Sequence, residues 1–172
     1  MARPRVAVLM GSDSDLAVMA ECVKVLDSYG IARDVRVLSA HRTPDAAIRY
    51  ARAAEGRGVR AFVCGAGGAA HLAGAIAAHT TLPVIGVPLA SSPLAGFDAL
   101  LSTVQMPPGI PVATVGVGAM GAANAGHLAA QILAGGDALL RRKIVKRRAS
   151  LAASVLEKSR GLDNRLRDLL KR

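Results

Sequence analysis

VRAFVCGAGGAAHLAGAIAAH, residues 59–79, runs from an apolar, β-branched segment (59–64) through a glycine-rich turn into an alanine-rich helical segment (69–79). A strand, a tight turn and a helix in immediate succession make the first two-thirds of a βαβ unit. The same rhythm recurs on either side. Further strands are expected at Val6–Met10, 34–38, 83–89 and 112–117, each followed by a turn rich in Gly, Ser or Pro. Helices are expected at 14–28, 44–56, 96–104 and 121–134. Strands alternating with helices require parallel pairing and right-handed crossovers, so the expected fold is an α/β domain with a three-layer, doubly wound parallel sheet.

That layout predicts where chemistry would occur. In open α/β sheets ligands bind beyond the carboxyl ends of the strands, where strand order reverses. With the common order 2-1-3-4-5 the crevice falls between the first and third strands, next to the turn after the second. Those three turns are GSDSD (11–15), SAHRTP (39–44) and GAGGAAH (65–71).

Each turn has a structural and a functional reading. Ser12 and Asp15 have the spacing of a capping box, which needs no function. Equally, Ser12, Ser14 and the N–H groups of a helix start could seat a phosphate, with Asp15 serving sugar hydroxyls. No G-K-[S/T] follows Gly11, so this is not a P-loop. Gly65, Gly67 and Ala70 fit a dinucleotide fingerprint, but that motif needs an acidic residue about 20 positions on. No Asp or Glu occurs between Glu55 and Asp98. Gly67 and Gly68 instead allow backbone N–H groups to approach a small anion or a CO2-like group. His71 could be a helix-start residue or a member of the site. In SAHRTPD (39–45), Thr43 reads as an N-cap and Pro44 as the first helical residue. His41 can exchange a proton near neutral pH, whereas Arg42 is a fixed cation shaped for phosphate. A metal site is not expected: His41, His71, His79 and His127 lack ligand spacing, and Cys22 and Cys64 form no paired motif.

Composition narrows the class. The two Tyr, two Phe and absent Trp offer no stacking platform for single-stranded nucleic acid. Two cysteines do not make a disulfide framework and read as small buried hydrophobes in a reducing compartment. No apolar run reaches the ~18 residues of a membrane span. The arginines ahead of Val6–Met10 superficially suggest a leader, but that apolar run is too short and reads as a first strand, so a cytoplasmic protein is expected.

The formal net charge of +10 is uneven. Residues 1–136 hold 10 Lys and Arg against 8 Asp and Glu, and residues 137–172 hold 12 against 4. The expected division is an α/β catalytic domain over 1–136 and a basic helical extension over 137–172, with the boundary near Gly135 and Gly136. In the extension Leu140, Ile144, Leu151 and Val155, then Leu162, Leu166 and Leu169 after Gly161, recur at helical spacing. RRKIVKRR (141–148) could attract polyanions. The apolar period favours a packing or subunit-contact helix with a charged solvent face over a segment that binds nucleic acid or an anionic surface.

MGSDSD, SAHRTP, GAGGAAHLAG, GVPL, VQMPPGIPVATV and GAANAG…LAAQIL, in this order over about residues 5–135, resemble the N5-carboxyaminoimidazole ribonucleotide mutases of purine biosynthesis. The resemblance implies a flavodoxin-like fold, a homo-octamer, and no metal or organic cofactor. It implies conversion of N5-carboxyaminoimidazole ribonucleotide to 4-carboxyaminoimidazole ribonucleotide, an isomerase reaction on a small nucleotide, with no nucleic-acid or membrane partner. By the same resemblance His41 is the general acid/base. Ser12, Ser14, Asp15 and Arg42 take phosphate and ribose, with Ser39 and Ala40 beside them. Gly67, Gly68, His71 and Leu72 surround the carboxylate and imidazole, and residues 105–107 serve a neighbouring subunit's site. Leu16 stands where many members carry Trp, and Ala73 where Pro usually follows. A sister class carboxylates free aminoimidazole ribonucleotide with CO2; Arg42 and residues 65–71 favour the mutase.

Overall fold

The computed structural model of the chain describes residues 5–171. Residues 1–4, part of the leader-like N-terminus weighed above, lie outside the described residues. The five strands are β1 (Val6–Met10), β2 (Arg33–Val37), β3 (Ala61–Gly67), β4 (Val84–Leu89) and β5 (Ala113–Thr114). They pair in parallel in the order β2-β1-β3-β4-β5. The helices of the sheet region are α1 (Leu16–Tyr29), α2 (Pro44–Ala54), α3 (Leu72–Ala77), α4 (Phe97–Val104) and α5 (Gly118–Ala134). The doubly wound parallel fold expected from the alternation, and flavodoxin-like as the resemblance implies, is the fold observed.

Burial explains the layers. All five residues of β1 are buried, as a strand covered on both faces requires. Ala7 and Leu9 of β1 join Phe62 and Cys64 of β3 in one cluster with Ala47, Tyr50 and Ala51 of α2 and Leu72, Ala73 and Ile76 of α3. The alternate residues face the other way. There Met19 of α1 packs over Gly65, and Gly126 of α5 lies against α1, where an added Cβ would come within 2.9 Å of the Cys22 carbonyl oxygen. The Tyr29 hydroxyl and His127 Nδ1, 3.1 Å apart, also join these two helices. Phe62 is the largest fully buried side chain, and truncating such a residue to Ala costs about 3–5 kcal/mol.

Element ends move where turn chemistry overrides period. β3 continues through Gly67, beyond the expected end at 64, because its ladder with β4 runs to the Gly67–Leu89 pair. α3 starts at Leu72 rather than 69, since Gly68 bends at φ +58° and the His71 N–H bonds the Ala69 carbonyl at 2.8 Å. β5 is two residues long instead of six. Pro111 precedes it, and beyond Val115, whose N–H reaches the Gly86 carbonyl at 3.0 Å, the chain turns through Gly116 and Gly118. β2 is the open edge and is largely exposed.

The chain divides into two compact units, one ending at Leu133 and one beginning at Ala134. The second contains α6 (Ala138–Arg160) and α7 (Leu162–Leu170). Asp137 caps α6, its carboxylate accepting the Leu140 N–H at 3.0 Å. Of the apolar period in this extension, Leu140 and Ile144 are buried, whereas Leu151, Val155, Leu162, Leu166 and Leu169 are exposed.

Candidate active site

The carboxyl ends of β1, β2 and β3 bring the three unusual turns together around a cavity of about 300 Å³. Its walls include Ser12, Ser14 and Asp15 from the first turn, and Ser39, Ala40, His41 and Arg42 from the second. Gly67, His71 and Leu72 come from the third. Gly68 is not part of the wall, but its left-handed backbone turns the chain back toward it.

The first turn is a capping box and a cavity wall at once. The Ser12 N–H donates to Asp15 Oδ2 at 3.0 Å and the Ser14 N–H to Ser12 Oγ at 3.3 Å, while the two serine hydroxyls meet at 2.9 Å. A short 3-10 turn, Asp13–Asp15, therefore precedes α1. Asp15 is only 9% exposed, and burial raises its carboxyl above the ordinary range; the Ser12 N–H and the Arg42 charge oppose this.

The second turn is closed by hydroxyls. Thr43 is at the N-cap position of α2 but does not cap it. Its Oγ1 instead accepts the Ser39 N–H at 2.9 Å and donates to the Ser39 carbonyl at 3.1 Å. Ser39 Oγ in turn accepts the His41 and Arg42 N–H groups at 3.3 and 3.1 Å. The expected cap is thus a loop lock that presents His41 and Arg42. Arg42 Nη2 donates to the Gly11 carbonyl at 2.7 Å and so ties the second turn to the first.

The third turn supplies the partner of His41. His41 Nε2 and His71 Nδ1 are 2.8 Å apart, with the rings edge to face at 88°. His71 makes no cap hydrogen bond to α3; of its two readings, the geometry favours membership of the site. Leu72 and Ala73 are both buried. Leu16, beside the first turn, is half exposed.

Two serines escaped the sequence reading. Ser102 on α4 accepts the Ala70 N–H at 3.1 Å and donates to the Asp98 carbonyl at 2.8 Å, fastening the glycine-rich turn to that helix. Ser91, just past β4, lines the cavity. No local pattern marks either residue; only the rule that sites gather beyond strand ends points toward Ser91.

A wider hollow of about 920 Å³ lies at the opposite, amino-terminal edge of the sheet, among Glu55, His79, Pro83 and Pro111. It gathers neither paired acid/base groups nor a phosphate seat, so the smaller cavity is the candidate site despite its size. Among the described residues, no group of three or more His, Cys, Asp and Glu side chains stands together to hold a metal ion.

A doubly wound α/β domain with its site at the reversal of strand order is thus the class defined by fold and geometry. Residues 5–154 match the family model described as AIR carboxylase, and the chain belongs to that family. It is 52% identical over 157 residues to the N5-carboxyaminoimidazole ribonucleotide mutase of Bacillus subtilis (strain 168), covering 91% of this chain and 97% of that one. It is 54% identical over 156 residues to the mutase of Mycobacterium tuberculosis (strain CDC 1551 / Oshkosh), covering 91% of this chain and 88% of that one. Among solved structures it resembles Treponema denticola PurE with a TM-score of 0.84 and 29% identity, over 93% of this chain and 99% of that one.

Proposed function

We propose that this chain converts N5-carboxyaminoimidazole ribonucleotide to 4-carboxyaminoimidazole ribonucleotide in purine biosynthesis. The observation that carries the reading is the placement of His41, bonded to His71, in the wall of a cavity that Ser12, Ser14, Asp15 and Arg42 also line. Two relatives at 52% and 54% identity bear the mutase name, which supports the same assignment.

In this reading Ser12, Ser14 and Arg42 hold the phosphate through hydroxyls, helix-start N–H groups and the guanidinium fork. Asp15 accepts from ribose hydroxyls. Ser39 and Ala40 set the height of His41, and Gly67, Gly68, His71 and Leu72 enclose the imidazole and its carboxyl group. Protonated His41 gives its proton to the exocyclic nitrogen as the N–CO2 bond breaks, leaving aminoimidazole ribonucleotide and CO2. C4 of the imidazole then attacks the CO2 carbon. Neutral His41 removes the C4 proton and is restored to its starting form, so protons balance without ATP, metal or organic cofactor.

The assembly belongs to the same proposal. The chain works as a homo-octamer in the cytoplasm, with residues 105–107 serving a neighbour's site and the 137–172 extension packing between subunits. The exposed leucines of α6 and α7 support that packing role. No helix among the described residues is long and apolar enough to cross a membrane.

The deciding experiment supplies purified protein, without ATP, with each substrate separately. Interconversion of the two carboxylated ribonucleotides is expected. Rapid turnover only with free aminoimidazole ribonucleotide and high CO2 would assign the chain to the carboxylase class instead.

A further inference from the structure

Ser91 sits just beyond the carboxyl end of β4 and shares the cavity with His41, His71 and Gly67. Its N–H bonds the Leu89 carbonyl at 3.0 Å, but its hydroxyl has no hydrogen-bond partner among the described residues. The hydroxyl lies over Gly67, where a Cβ would overlap Ser91 Oγ. A residue with no side chain at position 67 is therefore what lets this hydroxyl reach the strand ends beside the two histidines.

Two backbone donors of the neighbouring turn are already engaged. The Ala70 N–H bonds Ser102 Oγ at 3.1 Å and the His71 N–H bonds the Ala69 carbonyl at 2.8 Å. A carboxyl group that leaves nitrogen and returns to carbon presents only acceptor oxygens, both as carbamate and as CO2, and a hydroxyl can donate to either.

Resting on the mutase reading, we propose that the Ser91 hydroxyl donates to an oxygen of the migrating carboxyl group and retains CO2 between cleavage of the C–N bond and formation of the C–C bond. Ser91 is thus a substrate-binding residue for the transferred group, separate from the phosphate seat.

The test follows N5-carboxyaminoimidazole ribonucleotide labelled at the carboxyl carbon, and measures how often a turnover releases labelled CO2 and free aminoimidazole ribonucleotide. Wild-type protein is expected to keep most of the label. Ser91→Ala is expected to lose label about tenfold more often, the upper end of the effect of one neutral hydrogen bond, with KM for the nucleotide within about twofold. Gly67→Ala, which pushes the same hydroxyl aside, is expected to leak in the same way, and thermal melting of both variants checks that they fold. Label retention unchanged in Ser91→Ala overturns the proposal, as does a leak matched by an equal rise in KM, which would place the hydroxyl on the nucleotide. A wild-type protein that does not interconvert the two ribonucleotides overturns the mutase reading itself.

Discussion

His41 Nε2 and His71 Nδ1 lie 2.8 Å apart although 30 residues separate them in the chain. One ring must donate and the other accept, so while the bond is kept the pair holds no more than one extra proton. His71 thereby fixes the ring of His41 through its Nε2.

Replacing His41 by Asn should lower kcat by about 10²–10⁴, the usual contribution of a general acid/base, with the circular dichroism spectrum unchanged. His71→Ala should have a smaller effect, about tenfold on kcat, with a rise in KM as well, because both the orientation of His41 and one wall of the cavity are lost. Near-normal turnover in a folded His41→Asn protein would remove His41 from the mechanism.

Arg42→Lys keeps the charge but loses the planar fork and, with it, the geometry of the bond to the Gly11 carbonyl. Nucleotide binding should weaken by about 1.5–3 kcal/mol, roughly 10- to 150-fold. Calorimetric titration with the product measures this directly, and equal affinity in the two proteins would contradict a phosphate role.

Asp15 gives a pH signature. Burial raises its folded-state pKa above the unfolded value, so between the two values the folded chain binds more protons. Stability then falls as pH rises through that window, and the ionised carboxylate is a cost at neutral pH. Asp15→Asn should match or exceed the wild type in urea midpoint at pH 7, and the advantage should shrink as pH falls through the carboxyl range. The same variant should bind the nucleotide more weakly.

Cys22 and Cys64 are free and buried, and burial alone pushes the Cys22 thiol up to about 12 and raises that of Cys64 as well. A thiol reagent that consumes thiolate should label neither in the native protein and both in urea. Fast labelling of native protein would show that the core opens readily.

Where local period and burial agree, sequence reads directly into structure. VAVLM became β1 without change, and Pro44 opened α2 as its fixed backbone suits. The three turns were found because each follows a strand and carries residues that strands and helices do not need. The unseen features are hydrogen bonds between distant side chains and turns. Arg42 reaches Gly11 across 31 positions and Ser102 reaches Ala70 across 32. Ser91 occupies its place in the cavity wall over a glycine on another strand, Gly67. Thr43 has the right identity and position for a cap, yet its hydroxyl bonds Ser39, because a closed loop satisfies both a donor and an acceptor. In the extension, helical spacing located the helix but not which leucines would be covered.

The two margins of the sheet differ from its middle. β2 alternates Arg33, Asp34 and Arg36 with valines, with Asp34 bridged to Arg36 at 3.0 Å and to Arg57 at 2.9 Å, while β5 offers only two ladder residues. A charged rim on one side and a stub on the other are poor templates for another chain's backbone. Growth of this sheet from molecule to molecule, the first step toward fibrous aggregates, is disfavoured at both ends.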